Sequence, residues 1–357
     1  MSDFHEQVQI KNEELLSQML DDSLPEFSRR YFSYMKNKGM SSRTLVQYAY
    51  DLNIFFTYLQ QSSGFKDINL KTASPSVLDR LSIEDLQEFQ ESIRYHYVSD
   101  ANGNKKKKLT SDATRARRAS SLRSFYKYMV KSRAIQNDMS EFIDIPSVSD
   151  HPIVTLDKTD VQRVLATVKD TEGMKQNEKT KHEKVMKRDY AIVVTLLGTG
   201  IRVSELVGLN LSDIDFYQAS LNVTRKGGDI DEVYFADEVE DALLDYINNE
   251  RDNLEPSEDA KEALFISLKH KRLCVRSVEL MVKKYAKKAG IADKITPHKM
   301  RSTYGSNLYD ETNDIYLVAD ALHHSSVEVT RRHYAKMSRD HKRLAQKHSS
   351  SLFKTDK

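Results

Sequence analysis

Residues 322–334, LHHSSVEVTRRHY, pack three histidines, two arginines and a tyrosine into 13 residues. A tyrosine hydroxyl is a weak nucleophile until its proton is taken and cations neutralise the group it attacks. Whether Tyr334 can react therefore depends on bases and cations supplied from elsewhere in the chain. Three earlier motifs carry such groups. In GTGIRVSELVGL, residues 198–209, Arg202 follows a glycine turn at a helix start; amides there and a two-pronged guanidinium both hold oxyanions. In TRKGGDIDEVYF, Lys226 stands beside the tip of a hairpin, where a lysine can reach into a groove and protonate a leaving oxygen. In TPHKMRSTY, residues 296–304, His298 and Arg301 are three apart, which makes them neighbours on a helix that Pro297 is suited to begin.

Taken singly, each group has an ordinary reading. Arg202 can salt-bridge Glu205, Lys226 can be a turn lysine, and His298 and Arg301 can be surface or capping residues. Tyr334 can be a half-buried tyrosine at a polar helix end. The GTG is no dinucleotide loop, because it follows a helix and lacks the third glycine. A zinc site on His323, His324 and His333 fits poorly: there is no thiolate and no HExxH, and adjacent histidines cannot share a helix face.

The order R…K…HxxR…H…Y is more specific than any one motif. On GTGIRVSEL, RKGG, TPHKMR and LHHSS…Y the chain resembles the tyrosine recombinases, the phage-integrase family, over essentially its whole length. SSRTLVQYAYDLNIFFTYL and ATRARRASSLRSFYKYMV resemble the family's core-binding domain. VTRKGG, ALFISL and the long first domain resemble the Xer recombinases of the XerS type. The resemblance implies a mechanism. Tyr334 is the nucleophile that forms a 3′-phosphotyrosyl bond and frees a 5′-hydroxyl. Arg202 and Arg301 hold the non-bridging oxygens, Lys226 protonates the leaving oxygen, His298 assists proton transfer and His324 hydrogen-bonds the phosphate. It departs from the family's pattern in having His323 where glycine usually precedes the last histidine, Ser302 where histidine is common, and one extra residue between His324 and Tyr334.

It also implies partners: double-stranded DNA with a specific recombination site, and a homo-tetramer in the synaptic complex. No cofactor is expected. Two arginines and a lysine supply the positive charge that other phosphoryl-transfer enzymes take from magnesium, and the phosphotyrosine stores the cleaved bond. The Xer reading places the enzyme in chromosome-dimer resolution, in partition at cell division. The alternatives are the integrase of a phage or conjugative transposon, a type IB topoisomerase, and a non-enzymatic DNA-binding module.

The elements that must position these groups read as mainly α with a small antiparallel sheet in the C-terminal domain. The resemblance implies a two-domain C-shaped clamp of a SAM-like core-binding domain and a catalytic domain. The expected divisions are an N-terminal extension (1–21), a helical core-binding domain (22–135), a linker (136–154), a catalytic domain (155–340) and a tail that could dock on a neighbouring subunit (341–357). Leu45, Tyr48, Leu52, Phe55, Phe56 and Leu59 repeat at helical spacing after a Ser41–Ser42 cap. LNVT and DEVYF alternate around Gly227–Gly228, which predicts a hairpin. DANGNKKKKLTSD reads as a mobile basic loop, and residues 169–187, rich in Lys and Glu, as solvated.

Across 357 residues the net charge is +2, so bulk charge says little. Its distribution says more. From residue 105 to 133 there are eleven Lys or Arg against one acid, Asp112, a stripe suited to a polyanion. Ser42, Arg43, Arg117, Arg118 and Arg123 are the candidate DNA contacts. The single cysteine, Cys274, excludes an intramolecular disulfide and a Cys-based zinc site. With no signal peptide and no long apolar run, a soluble cytoplasmic protein without membrane insertion is expected.

Overall fold

Serine caps set the helices of the first half. Ser41 accepts from the Thr44 amide, Ser82 forms a reciprocal capping box with Asp85, and Ser111 accepts from the Thr114 amide. Each satisfies amides that a helix start leaves without intrahelical partners. The computed structural model describes residues 4–99, 103–148, 154–225, 227–291, 295–323 and 326–334, with the side chains of 329 and 332–334 outside that description. The chain divides into two compact units, residues 1–150 and 151–357.

The first unit contains α1 (Phe4–Asp22), α2 (Ser28–Asn37), α3 (Ser42–Gln61), α4 (Ile83–Ser92), the strands β1 (Tyr95–Ser99) and β2 (Lys105–Leu109), and α5 (Asp112–Lys131). The helical spacing read in α3 buries Leu45, Leu52, Phe55, Phe56 and Leu59. Phe125 of α5 meets Tyr31 edge-to-face at 5.2 Å and Phe56 at 5.9 Å. Each such buried side chain contributes about 1.5–3 kcal/mol. The leading helix and the stretch read as a linker both join this core. Leu16, Met19 and Leu20 of α1 are buried in it, and so are Met139 and Ile143. The lysine-rich stretch differs from expectation: it is the second strand of an antiparallel ribbon, with Tyr95 opposite Leu109 and Ser99 opposite Lys105.

The second unit contains α6 (Lys158–Lys169), α7 (Gln176–Glu183), α8 (Met186–Thr199), α9 (Val203–Gly208), β3 (Ile214–Asp215), β4 (Ser220–Thr224), β5 (Ile230–Tyr234), α10 (Asp237–Asn249), α11 (Val275–Lys288), α12 (Pro297–Thr312), α13 (Ile315–Ala321) and α14 (Val327–Tyr334). Its axis is α8, whose Ala191, Ile192, Val193 and Leu196 are fully buried, with α6, α10 and α12 packed against it. The expected hairpin is β4–β5, extended by β3 into a three-stranded antiparallel sheet with Leu221 opposite Val233. The Lys/Glu-rich stretch holds more structure than its composition suggests. His182 of α7 is buried, and Tyr285 donates from its hydroxyl to Asp189 at 2.7 Å. The protein is thus mainly α with small antiparallel sheets. Among the described residues no helix is long and apolar enough to cross a membrane.

Candidate active site

The site begins where α8 ends. Gly200 takes the left-handed conformation (φ +65°), the usual helix stop. A Cβ there would lie 2.4 Å from the Tyr304 ring, so glycine is required by both backbone and space. Two residues later Arg202 opens α9. Its amide donates to Glu205 Oε2 at 2.7 Å and its guanidinium to Glu205 Oε1 at 2.8 Å. The ordinary reading of Arg202 as Glu205's partner is therefore realised, yet the side chain stays 38 % exposed. An arginine has five N–H donors, so this contact leaves donors for a phosphate.

Glu205 holds a second cation. Its Oε2 accepts from Arg225 Nη1 at 2.7 Å, and Arg225 also donates to Asp231 Oδ2 from Nε at 3.0 Å and Nη2 at 2.8 Å. Arg225 is buried; its two carboxylates make that burial tolerable. Asp231 Oδ2 in turn lies 3.4 Å from His323 Nδ1. A continuous chain of polar contacts therefore runs Arg202–Glu205–Arg225–Asp231–His323. Neither Arg225 nor Asp231 was singled out from sequence, although the alternation of β4 carries the signal. Leu221 and Val223 point inward, so Arg225 is the next inward position and needs a counter-charge.

Arg301 closes the arrangement from the other side. It is buried on α12, donates from Nη1 to the Gly200 carbonyl at 2.6 Å and from Nη2 to the Leu322 carbonyl. One guanidinium thus joins the turn before Arg202 to the segment that carries the paired histidines. Thr296 caps α12 by accepting from the Lys299 amide, and Pro297 occupies its first turn as expected. His298, in that turn, is exposed. His323 has φ +45°, a region that favours glycine and strains most other residues. That conformation accounts for glycine at this position in the family's pattern. Lys226 and His324 lie outside the described residues, as does the tail after Tyr334. Tyr334 ends α14, which packs on α12 and α13.

The candidate DNA contacts of the first unit are occupied to different degrees. The Ser42 hydroxyl accepts from Asn12 at 3.2 Å. Arg117 donates to Asp51, and Arg118 Nε lies 4.0 Å from the same carboxylate. Burial raises the Asp51 carboxyl above its usual range, against the pull of the two arginines. Arg123 donates to the Ile143 carbonyl. Arg43 is exposed. Arg123 also lines a basic groove with Lys38, Lys127, Lys131 and the rings of Tyr34 and Tyr128.

Residues 155–341 match the phage integrase family and residues 29–133 the phage integrase N-terminal SAM-like domain. Tyrosine recombinase XerC of Caldanaerobacter subterraneus is 31% identical over 84% of this chain and 79% of its own length. Tyrosine recombinase XerS of Streptococcus pneumoniae is 29% identical over 90% of this chain and 95% of its own. Among solved structures, XerH site-specific recombinase bound to palindromic difH substrate superposes with a TM-score of 0.61 at 19% identity, covering 88% of this chain and 82% of that one. A lambda integrase dimer bound to a COC′ core site gives 0.59 at 14% identity, covering 88% and 96%. The chain belongs to the phage integrase family of tyrosine recombinases.

Proposed function

We propose that this protein is a site-specific tyrosine recombinase of the Xer type that cuts and rejoins double-stranded DNA in the cytoplasm, resolving chromosome dimers as a homo-tetramer on two copies of its site. The observation that carries the reading is the double contact of Arg301. It fastens the Gly200 turn, and hence Arg202, to the segment that leads into α14. The Arg301 guanidinium thereby ties the turn that presents Arg202 to the end of α13, against which packs the helix whose last residue is the one tyrosine of the R…K…HxxR…H…Y order. The full-length likeness to XerS supports the Xer assignment.

In this reading the Tyr334 hydroxyl attacks a backbone phosphorus. The tyrosyl O–P bond forms, the bond to the 5′-oxygen breaks, and the 3′ end stays on the enzyme. His298 assists removal of the tyrosine proton, and Lys226 gives a proton to the departing 5′-oxygen. Arg202 and Arg301 neutralise the non-bridging oxygens as charge builds in the pentavalent state, and His324 hydrogen-bonds one of them. Preorganised donors of this kind each contribute roughly 10²–10³ in rate. The phosphotyrosine retains the energy of the broken bond, so the reverse attack by a 5′-hydroxyl reseals DNA without a nucleotide. The cationic charge comes from side chains, so no metal is needed. The core-binding unit contributes phosphate contacts, and its affinity falls steeply with salt.

The test is a nicked duplex carrying the recombination site, on which cleavage traps the covalent intermediate. Wild-type protein is expected to give a protein–DNA adduct, and Tyr334→Phe none. An adduct of equal yield from Tyr334→Phe overturns the proposal.

A further inference from the structure

Between α4 and α5 the first unit extends the β1–β2 ribbon. Residues directly opposite in a ladder share a face. Tyr95, Tyr97, Lys105, Lys107 and Leu109 therefore lie on one side, and His96, Val98, Lys106 and Lys108 on the other. Lys107 Nζ sits 4.1 Å from the Tyr95 ring centre, as that assignment requires. Neither side is covered by the body of the protein: every residue of β2 is exposed, Tyr97 by 67% and Leu109 by 66%. The base is anchored, since the Thr110 amide donates to the Arg94 carbonyl at 2.8 Å and the Thr110 hydroxyl lies 3.2 Å from His96 Nδ1.

Two physical costs attach to this element. An uncovered two-stranded ribbon is marginal in water. Four successive lysines repel one another, and the described ribbon residues include no acid. Among the described residues none of the four lysines is in an ion pair. A regular polyanion relieves both costs at once. The dimensions also suit a duplex. Same-face lysines recur about every 6.8 Å, twice the strand rise, and the major groove, about 12 Å wide, admits a two-stranded ribbon.

We propose that the β1–β2 ribbon is a DNA-binding arm whose lysines 105–108 contact the phosphate backbone of double-stranded DNA. It adds a second basic surface to the groove that Arg123, Lys127 and Lys131 line on α5, where Arg117 and Arg118 share Asp51. The proposal rests on the reading of this chain as a DNA recombinase.

The experiment measures binding of the full chain to a long mixed-sequence duplex as a function of salt. Wild type is compared with two variants, the quadruple Lys105→Ala, Lys106→Ala, Lys107→Ala, Lys108→Ala and the same four changed to Arg. Each phosphate contact contributes about 0.9 to the slope of log K against log salt, so the alanine variant is expected to lose roughly 2–4 from the slope. The arginine variant should retain it. Thermal melting of the alanine variant should match wild type, because the lysines touch nothing buried. A wild-type slope in the alanine variant overturns the arm. Failure of the wild type itself to bind the duplex instead overturns the recombinase reading on which the arm rests.

Discussion

Each unit buries one carboxylate beneath two arginines, but the pairs are built differently. In the first unit Asp51 of α3 takes Arg117 and Arg118 of α5. Its Oδ1 and the Arg118 Nε are both buried without a hydrogen-bond partner, and burial raises its pKa. In the second unit Glu205 is bonded on both oxygens, to the Arg202 amide and guanidinium and to Arg225, and Arg225 has Asp231 as well. The first arrangement uses its arginines to fasten one helix to another. Each pair leaves one arginine part exposed, Arg117 by 36% and Arg202 by 38%, but the second holds its other arginine, Arg225, fully bonded as structure and sets Arg202 at a helix start. A row of basic residues in sequence is therefore a poor measure of a phosphate face. What decides is the carboxylate underneath and how completely it uses each guanidinium.

The largest expected effect comes from breaking the better-built pair. Glu205→Ala should lower folding stability by roughly 3–5 kcal/mol, because it leaves buried charge under-compensated, and should slow strand cleavage by releasing Arg202. Asp51→Asn should cost about 1 kcal/mol, the scale of one net hydrogen bond, since burial already opposes the charge there. Chemical denaturation of both variants checks the ranking, and equal losses would dissolve the contrast between the units.

A third buried carboxylate sharpens the point through pH. Glu250 accepts the amides of Lys187 and Arg188 at the start of α8, and burial pushes its pKa up to about 7. Between the unfolded value of 4.5 and about 7 the folded state binds the extra proton, so this group's contribution to stability falls as pH rises through that window. Glu250→Gln keeps an acceptor without the charge. It should flatten the dependence of Tm on pH between these limits, and an unchanged profile would remove Glu250 as its source. Asp51 acts in the same direction, from its unfolded value of 3.8 upward.

How much of this was readable from sequence follows the range of the interaction. Local signals were plain: the Ser41 cap, the Gly200 turn, Pro297 in the first turn of α12, and the alternation of β4 and β5. The lysine run of β2 reads as a loop, because it follows turn residues and has low strand propensity, and Tyr95–Tyr97 of β1 continue the helical spacing of α4, so the pairing of the two strands is not visible in either stretch. His182 was hidden in a charged stretch, since only its burial beside Tyr285 distinguishes it. The Arg301 contacts to Gly200 and Leu322, and the Arg225–Asp231 pair next to Glu205, join segments far apart in sequence. No single motif contains them. The role of glycine before the last histidine became clear only from the backbone, where His323 occupies the left-handed region.

The central claim is that the cations gathered at Arg202 and Arg301 serve a nucleophile at Tyr334. The most direct measurement is to digest the covalent adduct formed on a nicked site-bearing duplex and identify by mass spectrometry the residue that carries the nucleotide. The account predicts a phosphotyrosyl link at Tyr334 through the 3′ phosphate, with adduct formation slowed roughly 10²–10³ in Arg301→Ala. A link at any other residue, or through the 5′ phosphate, would contradict it.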